Sequence, residues 1–379
     1  MMVFSNATVV DGSASAPFKA DVVIEGTRIV SILPPQSSDD GASIDCTNLV
    51  LCPGFVDIHG HSDLEVLRNP SMRKKIGQGI TTEVAGNCGI GVFPAEIGDS
   101  LLAELTSDVL GRYPRVGWPS FSSYLTKLKE KGSGTNTAFL QAHSTLRSHA
   151  MEGKANRTAT EEEIRRMCLY LQQSLEEGCI GLSSGLYYAP CIFADHKELL
   201  ALLSVVASFD RLFSVHMRCE GSAILDSIQE VLDLARLSGV KLQISHLKVI
   251  GKKNQRLVPS MLALIEQARV EGVDVQFDQY PYEYGSTSLF SLLPPPYLKL
   301  GRSELKSALG SESERRIIKA MMEEGKGWDS IASLCGWDDI KVLVLHSNPQ
   351  YEGLSMNEVA QLRNQDPYEA FFDVLVQEE

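Results

Sequence analysis

The sequence predicts an α/β protein: most of a (β/α)8 barrel, with one strand missing, preceded by a small β-domain. Three observations predict it. From Leu49 onward, short apolar runs alternate with amphipathic stretches of helical period, which is the pattern of parallel βα units. Before that point, Val- and Ile-rich runs are separated only by turn clusters. Several of the later apolar runs end in His or Cys, as strands do when a barrel presents polar groups at the C-terminal mouth of its sheet.

Taken in order, residues 3–10, 20–32 and 43–51 are the early strand segments. Asp11-Gly12-Ser13, Glu25-Gly26-Thr27 and Asp39-Asp40-Gly41 punctuate them as turns. Barrel strands are expected at 50–59, 81–86, 138–142, 180–184, 212–216, 241–246 and 273–278. Helices are expected at 161–177, 197–209, 223–238 and 259–271. Thr160 followed by Glu161, Glu162 and Glu163 has the form of a helix N-cap with acidic first-turn residues, favoured by the helix dipole. Gly178 and Gly239 stand where helices should stop.

After Tyr284-Gly285-Ser286 the rhythm breaks. Pro294-Pro295-Pro296 opens a segment with its own helices at 303–309 and 313–324 and a strand-like run at 341–345. Residues 289–353 are expected to form an insertion over the barrel mouth, and 366–376 a last helix. The expected division is therefore 1–52 for the N-terminal β-portion, 53–288 for barrel strands one to seven, 289–353 for the insertion and 354–379 for the last helix. No 20–50-residue repeat or low-complexity tract occurs.

Bulk properties exclude some classes. A net charge of −13 argues against a nucleic-acid or anionic-membrane surface, which needs clustered basic residues. Hydrophobic content of 44% and charged content of 22% are ordinary for a soluble globular chain. The eight cysteines lack a CxxC pair or regular spacing, so neither a disulfide framework nor a zinc knuckle is indicated. Residues 1–6 lack a basic start followed by an apolar run, and the most apolar stretch, 199–209, is too short to span a bilayer. The expectation is a cytoplasmic protein, for which the acceptor patterns Asn6-Ala7-Thr8 and Asn156-Arg157-Thr158 carry no weight.

The chemistry concentrates at strand ends. Side chains alternate along a strand, so His59 and His61, at the end of Pro53-Gly54-Phe55-Val56-Asp57-Ile58-His59-Gly60-His61-Ser62-Asp63, point to one side and can share an ion or a substrate. A bare His-x-His is equally compatible with two surface histidines after a turn. Gly60, lacking a Cβ, lets a bulky group approach the backbone. The second strand closes in Gly86-Asn87-Cys88-Gly89; alone, such a cysteine is more often a small buried hydrophobe than a ligand. The fifth ends Ser214-Val215-His216-Met217-Arg218 and the sixth Gln243-Ile244-Ser245-His246-Leu247-Lys248. Two histidines facing a cysteine from non-adjacent strand ends make a Cys/His/His set with an open fourth position, the layout of a catalytic zinc site. Lys248, two residues past His246, either meets a substrate carboxylate or is a solvated loop lysine.

The string from Pro53 to Asp63 resembles the first metal-binding strand of the amidohydrolase superfamily, and Gly60-His61-Ser62-Asp63 is similar to its N-acyl-D-amino-acid deacylase branch. Gly86-Asn87-Cys88-Gly89, His216-Met217-Arg218 and Ile244-Ser245-His246 are similar to motifs of that branch. The resemblance implies that Cys88, His216 and His246 hold the main zinc and that His59 and His61 form a second, weaker metal position. Asp278-Gln279-Tyr280-Pro281-Tyr282 and Gly285-Ser286-Thr287 resemble its substrate-pocket motif, which implicates Tyr280 and Ser286 beside Lys248. It further implies a β-sandwich before the barrel, and zinc-dependent hydrolysis of the linear amide of small N-acyl-D-amino acids to a carboxylate and a free D-amino acid.

The pattern departs in two places. Cys219 stands where relatives more often have Asp or Asn. Relatives also take a general base from a Ser-Asp-Gly string at the eighth strand, which is absent from this sequence, and a missing base costs on the order of 10²–10⁴ in rate. Asp366 precedes Pro367 at a helix opening and Asp373 lies within that helix, so neither replaces it. No catalytic base is assigned, and the expectation is a C-terminally truncated family member. Two rival readings follow: a cyclic-amide hydrolase of dihydroorotase or hydantoinase kind, whose members commonly use a carboxylated lysine where this chain has Cys88, and a catalytically silent chain that keeps the metal site. His143 and His149 are expected to be structural or pocket-lining, His196 to start a helix, and His346 to be packed or at the surface.

Overall fold

The computed structural model describes residues 1–37, 42–96, 100–111, 113 and 116–378. The turn expected at Asp39-Asp40-Gly41 lies outside the described residues. The chain divides into two compact units, Met1–Val56 with Arg73–Thr82, and Asp57–Met72 with Glu83–Glu379.

The first unit is a mixed sheet of β1 (Met2–Val9), β2 (Phe18–Glu25), β3 (Arg28–Leu33), β4 (Ala42–Asp45) and β5 (Val50–Leu51), in the order β3-β2-β1-β4 with β5 also on β1. The β2–β3 register pairs Glu25 with Arg28, so Gly26 and Thr27 form a two-residue hairpin, and Gly26 takes the positive φ of 58° that such a turn requires. β1 bulges between Phe4 and Ala7, where the N–H of Asn6 donates to the buried carboxylate of Asp21 at 2.8 Å. Ala7, Val9, Ala20, Val22 and Cys46 form its small apolar cluster. Among the described residues, the β-portion expected as part of a sandwich forms this one sheet.

The strand expected over residues 50–59 is two strands, β5 and β6 (Phe55–Asp57). Pro53 between them has no N–H to donate to a ladder, and a Cβ on Gly54 would fall 2.1 Å from the Thr81 hydroxyl. β6, β7 (Ile80–Ala85) and β8 (Asn136–Phe139) form a three-stranded sheet in that order. β9 (Gln141–Ala142) continues β8 after Leu140 and begins a parallel sheet with β10 (Gly181–Gly185), β11 (Leu212–His216), β12 (Lys241–Ile244) and β13 (Val275–Phe277).

Helices His196–Ser208, Ile224–Ser238 and Val258–Val270 connect β10 to β13 in turn. Buried Leu182, Phe213, Val215, Leu242 and Ile244 of the strands share one core with Leu199, Leu203, Ile228 and Val231 of the helices. The expected cap of helix Glu161–Glu176 is present: Thr160 and Glu163 bond each other's backbone N–H in a capping box. Gly239 ends Ile224–Ser238 in the left-handed conformation. The register pairs Gly185 with His216 and Val215 with Ile244, so the polar residues that follow the strands gather at their C-terminal ends.

Residues after Leu289 hold a second hydrophobic cluster. Leu292, Leu305, Leu309, Ile318 and Met322 pack in it with Met356, Val359, Phe371 and Phe372, so the 289–353 segment and the helices Met356–Arg363 and Pro367–Gln377 share a core. The strand-like run at 341–345 supplies only an isolated bridge, Lys341 to Ser355, and Leu343 and Val344 are exposed. No described helix is long and apolar enough to cross a membrane.

Candidate metal centre

Cys88 is the hub. It sits in a turn whose residues Gly86, Cys88 and Gly89 all take positive φ, at 81°, 55° and 69°. The glycines are there for room: a Cβ on Gly86 would fall 2.4 Å from Leu140 O, and one on Gly89 2.6 Å from Gly185 N. Ser183 of β10 clasps the turn, accepting the Gly89 N–H at 3.0 Å and donating to Gly86 O. Asn87 donates to the carbonyls of Val84, Ile58 and Gly60 and accepts from Ser214 at 3.1 Å, tying three strand ends together.

Around the Cys88 thiol stand the four histidines that the sequence singles out. Nε2 of His59 is 3.3 Å from Sγ and Nε2 of His246 3.5 Å. The His216 ring lies 4.4 Å from that of His246, and the His61 ring 5.4 Å from that of His59, centre to centre. Burial pushes the thiol up, but hydrogen bonds from His216, His246, His59 and His61 outweigh it and hold the group well below the ordinary thiol range. This setting favours the thiolate, the form of cysteine that binds metal.

Two carboxylates that the sequence reading assigns no role set the imidazoles. Glu220 faces Nδ1 of His246 at 3.1 Å and lies 3.9 Å from Nε2 of His216. Asp278, which follows β13, lies 3.0 Å from Nδ1 of His59 and accepts the backbone N–H of His246 at 2.7 Å. Burial works against a charge on either ring, yet the Asp278 and Cys88 contacts raise His59 to about 10, and those of Cys88 and Glu220 raise His246 to about 9. His216 goes the other way, lowered chiefly by burial. Glu220 is held down to about 2 against its own burial by His216, Lys248 and His246. A carboxylate on Nδ1 turns Nε2 outward as the ligand atom, the usual arrangement behind a metal-binding histidine.

The ligand atoms of His59, Cys88 and His246 lie within 4.8 Å of one another, as do those of His216, Glu220 and His246. A buried thiolate with imidazole nitrogens at this spacing fits a divalent cation of zinc's softness. His59, rather than His216, shares a group with Cys88 and His246 in this geometry. Gly60 shows what its missing Cβ admits: the Glu83 carboxylate, which would stand 2.1 Å from such an atom and which accepts from Ser62 at 2.6 Å. Asp63 beside it is pushed up to about 6 by burial.

The residues expected at the substrate lie to one side. Lys248 is not a free cation; its ammonium lies 2.6 Å from Glu220 and also donates to His246 O at 3.3 Å. It stands 5.8 Å over the Tyr280 ring. Ser286 is exposed, while its neighbour Thr287 meets the hydroxyl of Tyr188 at 3.1 Å, and the Tyr188 ring packs on His216 at 4.7 Å. His143 is fully buried between Ser184 at 2.9 Å and Glu198 at 2.7 Å, apart from this group. His149 packs on Tyr170, His196 opens its helix behind the cap Asp195, and His346 is exposed. Two faint signals pointed to the carboxylates: Glu220 falls four residues after His216, and Asp278 ends its strand as the histidines end theirs.

An α/β fold with donor groups gathered at the ends of parallel strands defines the class, and the chain belongs to the amidohydrolase family, whose profile matches residues 42–282. Within it, the chain is similar to D-aminoacylase of Alcaligenes xylosoxydans xylosoxydans, 34% identical over 288 residues that make up 76% of this chain and 58% of that one. It is 35% identical, over the same shares, to N-acyl-D-glutamate deacylase of that organism. Among solved structures, N-acyl-D-glutamate deacylase from Bordetella bronchiseptica, complexed with zinc and a phosphonate inhibitor, superposes with a TM-score of 0.82 at 28% identity, over 100% of this chain and 70% of the other. The chain spans 58% of the length of these two curated relatives.

Proposed function

We propose that the chain acts as a zinc-dependent amidohydrolase of the N-acyl-D-amino-acid deacylase type, with β6 to β13 as strands of a (β/α)8 barrel. It hydrolyses the linear amide of an N-acyl-D-amino acid to a carboxylate and a free D-amino acid. One observation carries this: the buried Cys88 sulfur ringed by imidazoles at the strand ends, with its nearest Nε2 atom 3.3 Å away. The similarity to two D-amino-acid deacylases supports the choice of substrate class.

Cys88, His216 and His246 would hold the main zinc, and His59 and His61 a second, weaker position. When bound, the ion polarises an amide carbonyl and acidifies a water. The chain's own groups do the rest. Glu220 lies 3.1 Å from Nδ1 of His246 and Asp278 3.0 Å from Nδ1 of His59, leaving each Nε2 to face the Cys88 sulfur. Lys248, held by Glu220 and His246 O and 3.1 Å from Nδ1 of His246, supplies the positive charge that would attract a substrate carboxylate. Tyr280 lies under that ammonium, and Ser286, in the exposed loop after Gly285, would complete the substrate pocket. The buried free thiols of Cys46, Cys179 and Cys191 suit a reducing compartment, and the cytoplasm is the one proposed.

Metal analysis and two assays test this. Purified protein should carry about one tight zinc, which Cys88→Ala should lose. N-acetyl-D-amino acids should be turned over and their L-isomers should not. Zinc retained by Cys88→Ala would sink the site, and turnover of cyclic amides alone would replace the substrate class.

A further inference from the structure

Glu220 owes its place to a residue far along the chain. The Asp329 carboxylate, 2% exposed, accepts the backbone N–H of Glu220 at 2.5 Å and of Gly221 at 2.7 Å through one oxygen. Its other oxygen approaches so closely that a Cβ on Gly221 would fall 2.5 Å from it. From the opposite side, Ile250 donates its N–H to the Glu220 carbonyl at 2.8 Å. Main-chain freedom at Glu220 is thereby removed, and the side chain reaches Nδ1 of His246 and the Lys248 ammonium. A second tether converges on the same place: the Tyr187 hydroxyl donates to Ser291 O at 3.0 Å and Asp329 O at 3.2 Å while its ring stacks on His216 at 5.9 Å.

We propose that Asp329 is a positioning residue for the metal centre, clamping the Cys219–Gly221 turn so that Glu220 orients the His246 imidazole. The residues after Leu289 thereby set how tightly the centre holds its ion, without any of them touching it. This rests on the metal-centre reading above.

The full-length apo chain is titrated with Co(II), and with Zn(II) against a chromophoric chelator, as wild type, Asp329→Asn, Glu220→Gln and the double variant. Asp329→Asn should weaken both metals about 10-fold and alter the visible cobalt spectrum. In the Glu220→Gln background the same change should add less than about 2-fold, because the carboxylate it positions is gone. Unchanged affinity in Asp329→Asn, or an equal loss in both backgrounds, overturns the proposal. If Asp329→Asn does not fold, Tyr187→Phe is measured instead: it removes the hydroxyl from Asp329 O and keeps the ring on His216. Weakened binding there supports the tether, and unchanged binding overturns it. A wild-type chain that shows no thiolate-to-cobalt band overturns the metal-centre reading and this proposal with it, whereas normal wild-type binding with a silent Asp329→Asn overturns this proposal alone.

Discussion

Asp278 and His59 stand 3.0 Å apart, Oδ1 to Nδ1, although one follows β13 and the other follows β6. The same oxygen takes the His246 N–H, so one carboxylate steadies two histidines of the centre at once. Asp278→Asn keeps the shape and removes the charge. We expect zinc affinity to fall by about 10–100-fold, read by chelator competition on the apo chain. An unchanged affinity would show that His59 holds its orientation without Asp278.

Two glycines separate space from backbone preference. In Gly185→Ala, the new Cβ would fall 2.2 Å from the backbone oxygen of buried Cys88 and 2.9 Å from the half-buried Tyr188 ring. Overpacking of this kind costs about 1–3 kcal/mol, and here it also pushes on the Cys88 turn, so both the urea midpoint and zinc content should drop. In Gly310→Ala, at the end of helix Arg302–Gly310, the Cβ meets nothing within 4 Å. That change should stabilise by roughly 0.5–1 kcal/mol and leave zinc content alone.

The buried pair of His143 and Glu198 gives stability a pH dependence. Burial alone would lower the imidazole, but Cys191 and Glu198 outweigh it and raise His143 from 6.5 to about 9. A group whose folded value lies above its unfolded one binds its proton more tightly when folded. Its contribution is complete below pH 6.5 and is lost as pH rises through about 9. Urea unfolding of the wild type should weaken across that window, and His143→Gln should flatten the slope. A slope equal in both proteins would assign the loss to other groups.

What the sequence showed and what it hid follow from how each group is held. His59, Cys88, His216 and His246 were legible because each ends or follows an apolar strand, where a polar residue has few reasons to be. Glu220 and Asp329 were not, because their contacts run through loop backbone and span 109 positions. Residues 50–59 read as one strand on apolar content alone, yet Pro53 divides them between two sheets. The helix Phe121–Lys131 escaped notice because its capping box pairs Ser120 with Ser123 rather than with an acidic residue. The run at 341–345 had strand composition, but without a neighbouring edge it pairs at Lys341 alone among the described residues.

Cys88 and His246, with φ of 55° and 35°, hold the main chain in a region that costs an L-residue about 1–2 kcal/mol and that glycine enters freely. Glycine at either corner would relax the turn and delete the donor in one step. Directed evolution for heat resistance in the presence of a chelator would therefore drift towards glycine there, whereas with metal supplied the bound ion would outweigh the relief and keep both donors in place.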